Sequence, residues 1–295
     1  MDLMTLSTKS NKTPLHKWQF EALGTSWSVE TPGRLSSDVR EVIITRLQAY
    51  DKTYSRFRDD SLVWQLRSPG EYEFPEDLAP LLRLYEKLHT LTGGHMTPLI
   101  GRLLEEAGYD ASYSFRKTEF SEVPEFGALN WDGDRMLRPR QPIVLDVGAA
   151  GKGQLVDILA AILENNNVEE YTIDASGDIK HRGSMTTIGL EHPADVTKIV
   201  GTAKLQNQSL CASAINRRIW GNMHHMFNPR TKTPTNTMLA TWVVADSTML
   251  ADALATALFF VSPEVLQDEF DFKYVSISMM GAIDVSPDFE GELFI

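Results

Sequence analysis

The chain has 295 residues, enough for one large domain or two modest ones with a sizeable core. Hydrophobic residues make up 42% of the chain and charged residues 23%, which indicates a globular, soluble protein rather than a disordered one. The formal net charge of −12 opposes non-specific binding to nucleic acid, and a single cysteine excludes an intrachain disulfide.

The N-terminal residues predict a flexible tail without an export signal. Residues 1–15 are polar, and they lack both the basic start and the apolar core of a signal peptide, as well as a lipobox cysteine. No window of the chain approaches the length of a transmembrane helix. We therefore expect a cytoplasmic protein without a membrane anchor, with one globular domain over residues 16–295.

The first half of the chain predicts one strand and two helices. Residues 18–31 are rich in β-branched and aromatic side chains around a Gly-Thr break, which predicts a strand with a kink. Apolar residues recur at helical spacing over 36–50, and residues 76–94 form an amphipathic segment that ends in two glycines. Residues 110–142 are polar and irregular, as is typical of surface hairpins.

The second half alternates predicted strands with two predicted helices. A short apolar run predicts a buried strand over 142–148, followed by a helix over 154–167. Several antiparallel strands are expected next, and a helix over 247–262 is expected to begin at Ser247 or Asp246. Residues 272–295 predict two short strands. This mixed order indicates an α+β fold rather than a doubly wound sheet.

The stretch VLDVGAAGKGQLVD suggests an anion-binding loop at a helix start. It is not a Walker A loop, because Gly148 and Gly151 are too close and neither Ser nor Thr follows Lys152. It is not a dinucleotide fingerprint, because no third glycine stands at Val156. Small residues would let the backbone approach a ligand, free N–H groups of the helix would face it, and Lys152 would add positive charge. A tight strand-to-helix turn without a ligand explains the pattern equally well.

A second motif, ADALATA, carries a carboxylate and a hydroxyl on one helix face. Asp252 and Thr256 are four residues apart and therefore lie on adjacent turns. Two hard oxygen ligands at this spacing suit Mg²⁺. The spacing alone fits an exposed aspartate and a threonine bonded to its own helix at least as well.

Three further motifs allow both a functional and a structural interpretation. The His pair of HHMFNPRTKTP could supply a general base, or it could be structural. Asp174 and Asp178 of IDASGDI could bind a metal, or they could form hydrogen-bonded turns. The stretch GGHMTPLIG could line a ligand site, or it could simply connect two helices.

The order of these motifs resembles that of the ApbE family, the FAD:protein FMN transferases. The resemblance runs from about residue 18 to the C-terminus, and its most specific pieces are the Asp-x-Gly-x-x-x-Lys-Gly loop and the ADALATA helix. It implies a single α+β domain with mixed or antiparallel sheets, packed helices and a central cleft for FAD. It also implies Mg²⁺-dependent transfer of the FMN moiety of FAD to a Ser or Thr hydroxyl of a target flavoprotein, with release of AMP.

The resemblance also assigns roles to residues of this chain. Mg²⁺ would be held by the backbone carbonyl of Ala149 and the side chains of Asp252 and Thr256. His225 would be the base that deprotonates the acceptor hydroxyl. The remaining residues would contact FAD: Asp146 and Lys152 around the loop, and Leu23, Phe57, Thr97, Pro98, Leu99 and Met226 along its flavin or adenine portions.

Several positions depart from the family pattern. Asn228 and Lys232 stand where the family usually has aspartate and glycine, and Thr97 stands where an acid is usual. An Ala-Thr-Ser-Gly turn is replaced by Cys211 to Ala214, whereas the metal helix is intact. Losing a carboxylate near His225 would lower its basicity. Two alternatives therefore accompany the transferase interpretation, namely a hydrolase that splits FAD into FMN and AMP, and a non-catalytic FAD-binding protein.

Overall fold

The computed structural model describes residues 15–294, so the predicted tail, apart from Leu15, lies outside the described residues. The strands are β1 His16–Ala22, β2 Thr25–Thr31, β3 Tyr72–Glu73, β4 Met136–Leu137, β5 Tyr171–Asp174, β6 Asp178–Arg182, β7 Thr186–His192, β8 Asp195–Leu205, β9 Ser209–Ala214, β10 Ile219–Trp220, β11 Met223–His224, β12 Phe227–Asn228, β13 Thr233–Pro234, β14 Met238–Ala245, β15 Lys273–Ser278, β16 Ile283–Val285 and β17 Gly291–Leu293. The α-helices are α1 Ser37–Tyr54, α2 Leu62–Gln65, α3 Leu78–Leu91, α4 Gly101–Glu106, α5 Gly151–Asn165, α6 Thr248–Ala257 and α7 Pro263–Gln267. Short 3₁₀ turns span Pro98–Ile100, Phe126–Leu129 and Ile215–Arg217.

A large sheet of eight strands, in the order β1-β2-β5-β6-β9-β14-β15-β16, forms the centre of the fold. Every pairing within it is antiparallel. A second sheet, in the order β17-β8-β7, is also antiparallel. Helices and antiparallel sheets in one domain confirm the predicted α+β class.

Both faces of the large sheet are buried at its centre, and β14 shows how the sequence achieves this. Its side chains point alternately to opposite faces. Val243 and Ala245 join the cluster formed with the helices, whereas Trp242 and Val244 join the cluster shared with the second sheet. A strand covered on both sides needs a mostly apolar sequence, and the one polar side chain of β14, Thr241, donates its hydroxyl to the Ala255 carbonyl at 2.6 Å.

The start of α6 is fixed by α5. Asp157 accepts hydrogen bonds from the N–H groups of Thr248 and Met249, both at 2.9 Å, and from the Ser247 hydroxyl at 2.8 Å. Ser247 is the N-cap of α6, as predicted, and its hydroxyl accepts from the N–H of Leu250 at 3.3 Å. A carboxylate at a helix N-terminus satisfies donors that lack partners within the helix and interacts favourably with the helix dipole.

Three predicted elements were wrong in detail. The expected kink at the Gly-Thr break is a hairpin turn between β1 and β2, where Leu23 and Gly24 have φ of 50° and 71°. Residues 142–148 are largely buried and extended but belong to no strand, because their backbone bonds neighbouring segments instead, Ile143 N–H to Leu66 O and Asp146 N–H to Pro98 O. The C-terminal part holds three strands instead of two.

No helix among residues 15–294 is long and apolar enough to cross a membrane. The compartment stays a prediction.

We expect Asp157→Ala to lower the free energy of unfolding by about 1–3 kcal/mol, because partly buried donors at the start of α6 lose their acceptor. Urea unfolding followed by circular dichroism measures the loss. Glu169→Ala, at an exposed position beyond the end of α5, is the control. Equal unfolding midpoints for the two variants would contradict the capping role.

Candidate active site

A cleft with two connected chambers lies over the start of α5. The smaller chamber has a volume of about 300 Å³ and the larger about 680 Å³. The residues that line both chambers mark their junction: Thr25, Tyr109, Asp146, Gly148, Lys152, Arg217 and Arg218. The VLDVGAAGKG loop therefore lies where the two chambers meet. A loop in this place could hold the middle of an elongated ligand.

The floor of the cleft depends on a close approach of α5 to α6 at Gly153. A Cβ placed there would lie 2.3 Å from the backbone oxygen of Thr248 and 2.8 Å from Cβ of Asp252. The N–H of Gly153 donates to the carboxylate of Asp252 at 3.0 Å. Because position 153 has no side chain, the ADALATA helix can pack directly against the start of α5.

The same hydrogen bond corrects one expectation. The N–H groups at the loop and helix start were predicted to face an external anion, but several bind within the protein. Besides Gly153, the N–H of Gly148 donates to Asp146 at 2.7 Å and that of Ala149 to the Tyr85 hydroxyl at 3.2 Å. The Asp252 carboxyl therefore occupies the start of α5.

Asp252, Asp178 and Lys152 form a buried charged group in the smaller chamber. Burial, followed by the negative charge of Asp178, raises the pKa of Asp252, and the charge of Lys152 opposes this rise only in part. Lys152 Nζ lies 3.1 Å from Asp178 Oδ2 and donates to Ala175 O at 2.9 Å. The same Asp178 oxygen is buried and receives no well-oriented hydrogen bond, despite its ion-pair distance. If both carboxyls were ionised, they would carry one negative charge more than Lys152 balances, and this favours the neutral form of Asp252 in the absence of a cation.

The surrounding donors suit a hard divalent cation. Thr256 is mostly buried, lines the smaller chamber with Asp252 and Ala149, and has its hydroxyl 3.3 Å from that of Ser213. Among residues 15–294, no cluster of three His, Cys, Asp or Glu side chains forms a metal site. The donor set is therefore one carboxylate with neutral oxygens, which is typical of a cation that also binds a phosphate-bearing ligand.

The two aspartates of IDASGDI have different roles. Asp174 accepts the N–H of Gly177 at 3.0 Å and forms the turn between β5 and β6. Asp178 faces the cleft beside Lys152. One residue therefore follows the structural interpretation and the other lies in the site.

Asp146 lines both chambers but is held by Arg56. The Arg56 side chain, 3% exposed, donates to the Asp146 carboxylate and to the Tyr109 carbonyl, the latter at 2.9 Å. Burial alone would raise the pKa of Asp146, yet the charge and hydrogen bond of Arg56 and the Gly148 N–H hold it below its usual range. Asp146 is thus an ionised residue that shapes the loop.

The histidine pair divides into a structural and a cleft residue. His224 Nε2 lies 2.9 Å from Thr235 O, and its Nδ1 accepts the N–H of Met226 at 3.2 Å. His225, which is half-buried, lines the smaller chamber, and its Nδ1 has no hydrogen-bond partner. Burial, followed by the charges of Arg218 and His224, lowers the pKa of His225 to about 3. The imidazole is therefore neutral near neutral pH, and its Nδ1 is not occupied by another group of the protein.

The segment after His225 keeps its turn despite two departures from the family pattern. The Asn228 side chain accepts the N–H groups of Arg230 at 2.9 Å and Thr231 at 3.2 Å. An aspartate would accept the same two bonds, so the turn does not depend on a carboxylate. Lys232 has φ of 55°, a conformation that favours glycine, and it pairs with Glu122.

Aromatic side chains form one wall of the larger chamber. Phe57 and Tyr113 stack with centroids 5.6 Å apart and an interplanar angle of 2°, while Tyr109 stacks on Trp220 at 5.5 Å. Tyr113 is 51% exposed, so part of this wall faces solvent. Leu23 lines the same chamber. Such a wall suits a planar ring system.

The remaining predicted FAD contacts divide into two groups. Thr97 and Met226 line the smaller chamber. Pro98 and Leu99 are buried and line neither chamber, but they bond residues that do. The Pro98 carbonyl accepts the N–H of Asp146 at 2.8 Å, and the Leu99 N–H donates to the Thr97 hydroxyl at 3.2 Å. The ligand roles of all these residues stay predictions.

Sequence reasoning missed Arg56, Tyr109, Arg218 and Trp220, all of which line the cleft. The two-residue Gly-Asn stretch at 221–222 is a recognisable hairpin signal. It could have placed Arg218 and Trp220 close to His225 in advance. Nothing local predicted Arg56 or Tyr109, whose roles depend on contacts between distant segments.

Comparisons with known proteins identify the family to which the sequence is similar. The sequence model of the ApbE family matches residues 23–271. The FAD:protein FMN transferase of Escherichia coli K12 is 21% identical over 284 residues, which are 87% of this chain and 81% of that protein. The FAD:protein FMN transferase of Rhodobacter capsulatus is 24% identical over 275 residues, covering 83% of this chain and 51% of that protein.

Solved structures share the fold. The ApbE protein from Thermotoga maritima superposes with a TM-score of 0.81 at 21% identity, covering 93% of this chain and 97% of that one. The flavin transferase ApbE from Vibrio cholerae gives 0.74 at 18% identity, covering 94% and 98%. At these identities the likeness establishes the architecture.

We expect Gly153→Ala to destabilise the protein by about 1–3 kcal/mol, because the added methyl group overlaps backbone atoms that cannot move aside easily. Urea unfolding measures the change. Gly33→Ala is the matched control, since a Cβ at Gly33 meets open space and φ is ordinary. If both variants unfold at the same urea concentration, the close approach of α5 to α6 does not limit stability.

Proposed function

This chain belongs to the ApbE family, and on that premise we propose that it transfers the FMN moiety of FAD to a Ser or Thr hydroxyl of an acceptor flavoprotein, releasing AMP. One observation carries the proposal: a neutral imidazole and a set of hard oxygen donors line the same chamber, next to a second chamber with an aromatic wall. A dinucleotide has two ring systems joined by a pyrophosphate, and two chambers that meet over a loop fit this shape.

His225 serves as the base in this proposal. The acceptor oxygen gives its proton to the imidazole as it forms a bond to the FMN phosphorus. The bond from that phosphorus to the bridging oxygen breaks, and its electron pair leaves with AMP. A histidine whose pKa is lowered to about 3 by burial and the charges of Arg218 and His224 is available as the free base throughout the neutral range.

We propose Mg²⁺ as the cation of the site. The side chains of Asp252 and Thr256 and the carbonyl of Ala149 would hold it, and two buried carboxyls that face a single lysine support a cation here. When bound, Mg²⁺ neutralises charge on the pyrophosphate. Lys152 stays with Asp178 and balances part of the same charge.

The decisive experiment incubates the protein with FAD, Mg²⁺ and an acceptor flavoprotein domain, beside its Ser/Thr→Ala version. The acceptor's mass and free AMP are measured, and the Escherichia coli FAD:protein FMN transferase serves as the positive control. A mass gain of one FMN moiety with equal AMP supports transfer. AMP and FMN without labelling would identify a hydrolase instead, and FAD retained without either product would identify a binding protein.

We expect Asp252→Asn to abolish Mg²⁺-dependent activity and to raise the melting temperature of the metal-free protein. Burial and the charge of Asp178 raise the carboxyl's pKa above its unfolded value, so the ionised form destabilises the fold increasingly above pH 4. An amide removes that charge. Melting temperatures at pH 8 in EDTA and in Mg²⁺ test this.

For wild type, Mg²⁺ should raise the melting temperature, whereas the variant should show no response. An equal Mg²⁺ response in both proteins would contradict the assignment of Asp252 as a ligand.

We expect His225→Ala to lower the rate of FMN transfer by about 10²- to 10⁴-fold, because the acceptor hydroxyl loses its base. FAD affinity, measured by flavin fluorescence, should change little. In wild type the rate should not rise through pH 6.5, since a base with a pKa of about 3 is already deprotonated there. His224→Ala is not a suitable control because it removes a buried hydrogen bond, so His16→Ala, at an exposed position of β1 outside the cleft, is used. Undiminished transfer by the His225 variant would exclude its role as the base.

A further inference from the structure

The hairpin of β10 and β11 places Arg218 beside His225. Ile219 pairs with His224 and Trp220 with Met223 in antiparallel register. Arg218 and His225 directly flank these paired residues, and the positive charge of Arg218 lowers the pKa of His225, as expected of neighbouring side chains. Both side chains line the smaller chamber, so one short hairpin carries a cation and the proposed base together.

Arg218 is also a junction residue, since it lines both chambers. Its guanidinium carbon lies 5.7 Å from the centre of the Tyr109 ring. Within residues 15–294 it forms no ion pair, whereas the neighbouring Arg217 lies 3.0 Å from Glu191. The exposed guanidinium of Arg218 is therefore available to an anion in the cleft.

Lys152, which belongs to the loop and also lines the junction, already has partners within the protein. Lys152 contacts Asp178 and the Ala175 carbonyl, and its charge is needed against the two buried carboxylates. Arg56 is likewise occupied by Asp146. A phosphate crossing between the chambers would thus meet Arg218 as the cation without a carboxylate partner. The planar guanidinium can donate two parallel hydrogen bonds to phosphate oxygens.

We propose that Arg218 is a catalytic residue that binds the pyrophosphate of FAD and stabilises the negative charge on the departing AMP phosphate. This inference rests on the proposed function. In the transfer step the acceptor oxygen–phosphorus bond forms, the phosphorus–bridging oxygen bond breaks, and the proton moves to His225. The electron pair of the broken bond becomes charge on AMP, and Arg218 compensates it while keeping its own protons.

The position beside His225 gives Arg218 a second effect. A fixed positive charge next to the imidazole disfavours its protonation before the acceptor arrives. As the leaving phosphate gains charge, Arg218 becomes partly neutralised by it, which makes the imidazolium less costly at that moment. Cation and base on one hairpin thus couple departure of AMP to uptake of the acceptor's proton.

The test compares Arg218→Gln and Arg218→Lys with Arg140→Gln, which changes net charge equally at an exposed position outside the cleft. Affinities for FAD and riboflavin are measured by fluorescence, and AMP release and acceptor labelling by mass spectrometry. We expect Arg218→Gln to weaken FAD binding at least tenfold with riboflavin affinity unchanged. The rate at saturating FAD should fall about 10²- to 10³-fold, and Arg218→Lys should recover part of it.

Equal FAD affinity and AMP release in Arg218→Gln and Arg140→Gln would overturn the inference. So would a defect confined to the KM for the acceptor, because Arg218 would then contact the acceptor protein. A wild-type protein that binds no FAD would overturn the proposed function itself, a result distinguishable from the first two. Thermal melting of each variant verifies folding, and a loss of FAD binding together with riboflavin binding would also count against a phosphate-specific role.

Discussion

The contact of α5 with α6 at Gly153 is the constraint on which the site depends. The loop that joins the two chambers leads into α5, while Asp252 and Thr256 lie on α6, about a hundred residues later. Only a residue without a side chain lets the helices meet closely enough for the Gly153 N–H to reach Asp252. One turn further along α5, Asp157 caps α6, so the same face of α5 fixes both the position and the start of the second helix.

This arrangement buries two carboxyl groups beside one lysine, which costs stability but supplies oxygen donors for a cation. Asp252 and Asp178 are both nearly inaccessible, and a single lysine stands against them. A protein selected for stability alone would replace one of these acids by a neutral side chain. Two buried carboxyls that a single lysine does not balance are intelligible as a site that receives a cation and then a pyrophosphate. The base, by contrast, is kept neutral on a separate hairpin.

Local patterns in the sequence predicted much of the fold and part of the site. Amphipathic spacing and the caps located α1, α3 and α6, and the order of motifs placed His225, Asp252, Lys152 and Thr256 in one cleft before their distances were known. Residues 142–148 show the limit: an apolar run indicates burial but not the partner, and here the partners are loops. The N–H of Gly153 does not face an external anion as predicted, because it donates to Asp252, which lies far away in the sequence. Arg56 and Tyr109 were missed for the same reason.

The β2–β5 pairing has a consequence for how the protein is made. Ser28 pairs with Asp174, so the hairpin of β1 and β2 has no neighbour in the sheet until more than half of the chain has left the ribosome. The cleft can form only later in synthesis, because the residues that line it extend from Leu23 to Phe260. Contacts of such long range slow folding and leave apolar strands uncovered meanwhile. The first strands of a nascent chain are therefore made long before the cleft is complete. A product truncated before Phe260 lacks part of the cleft lining.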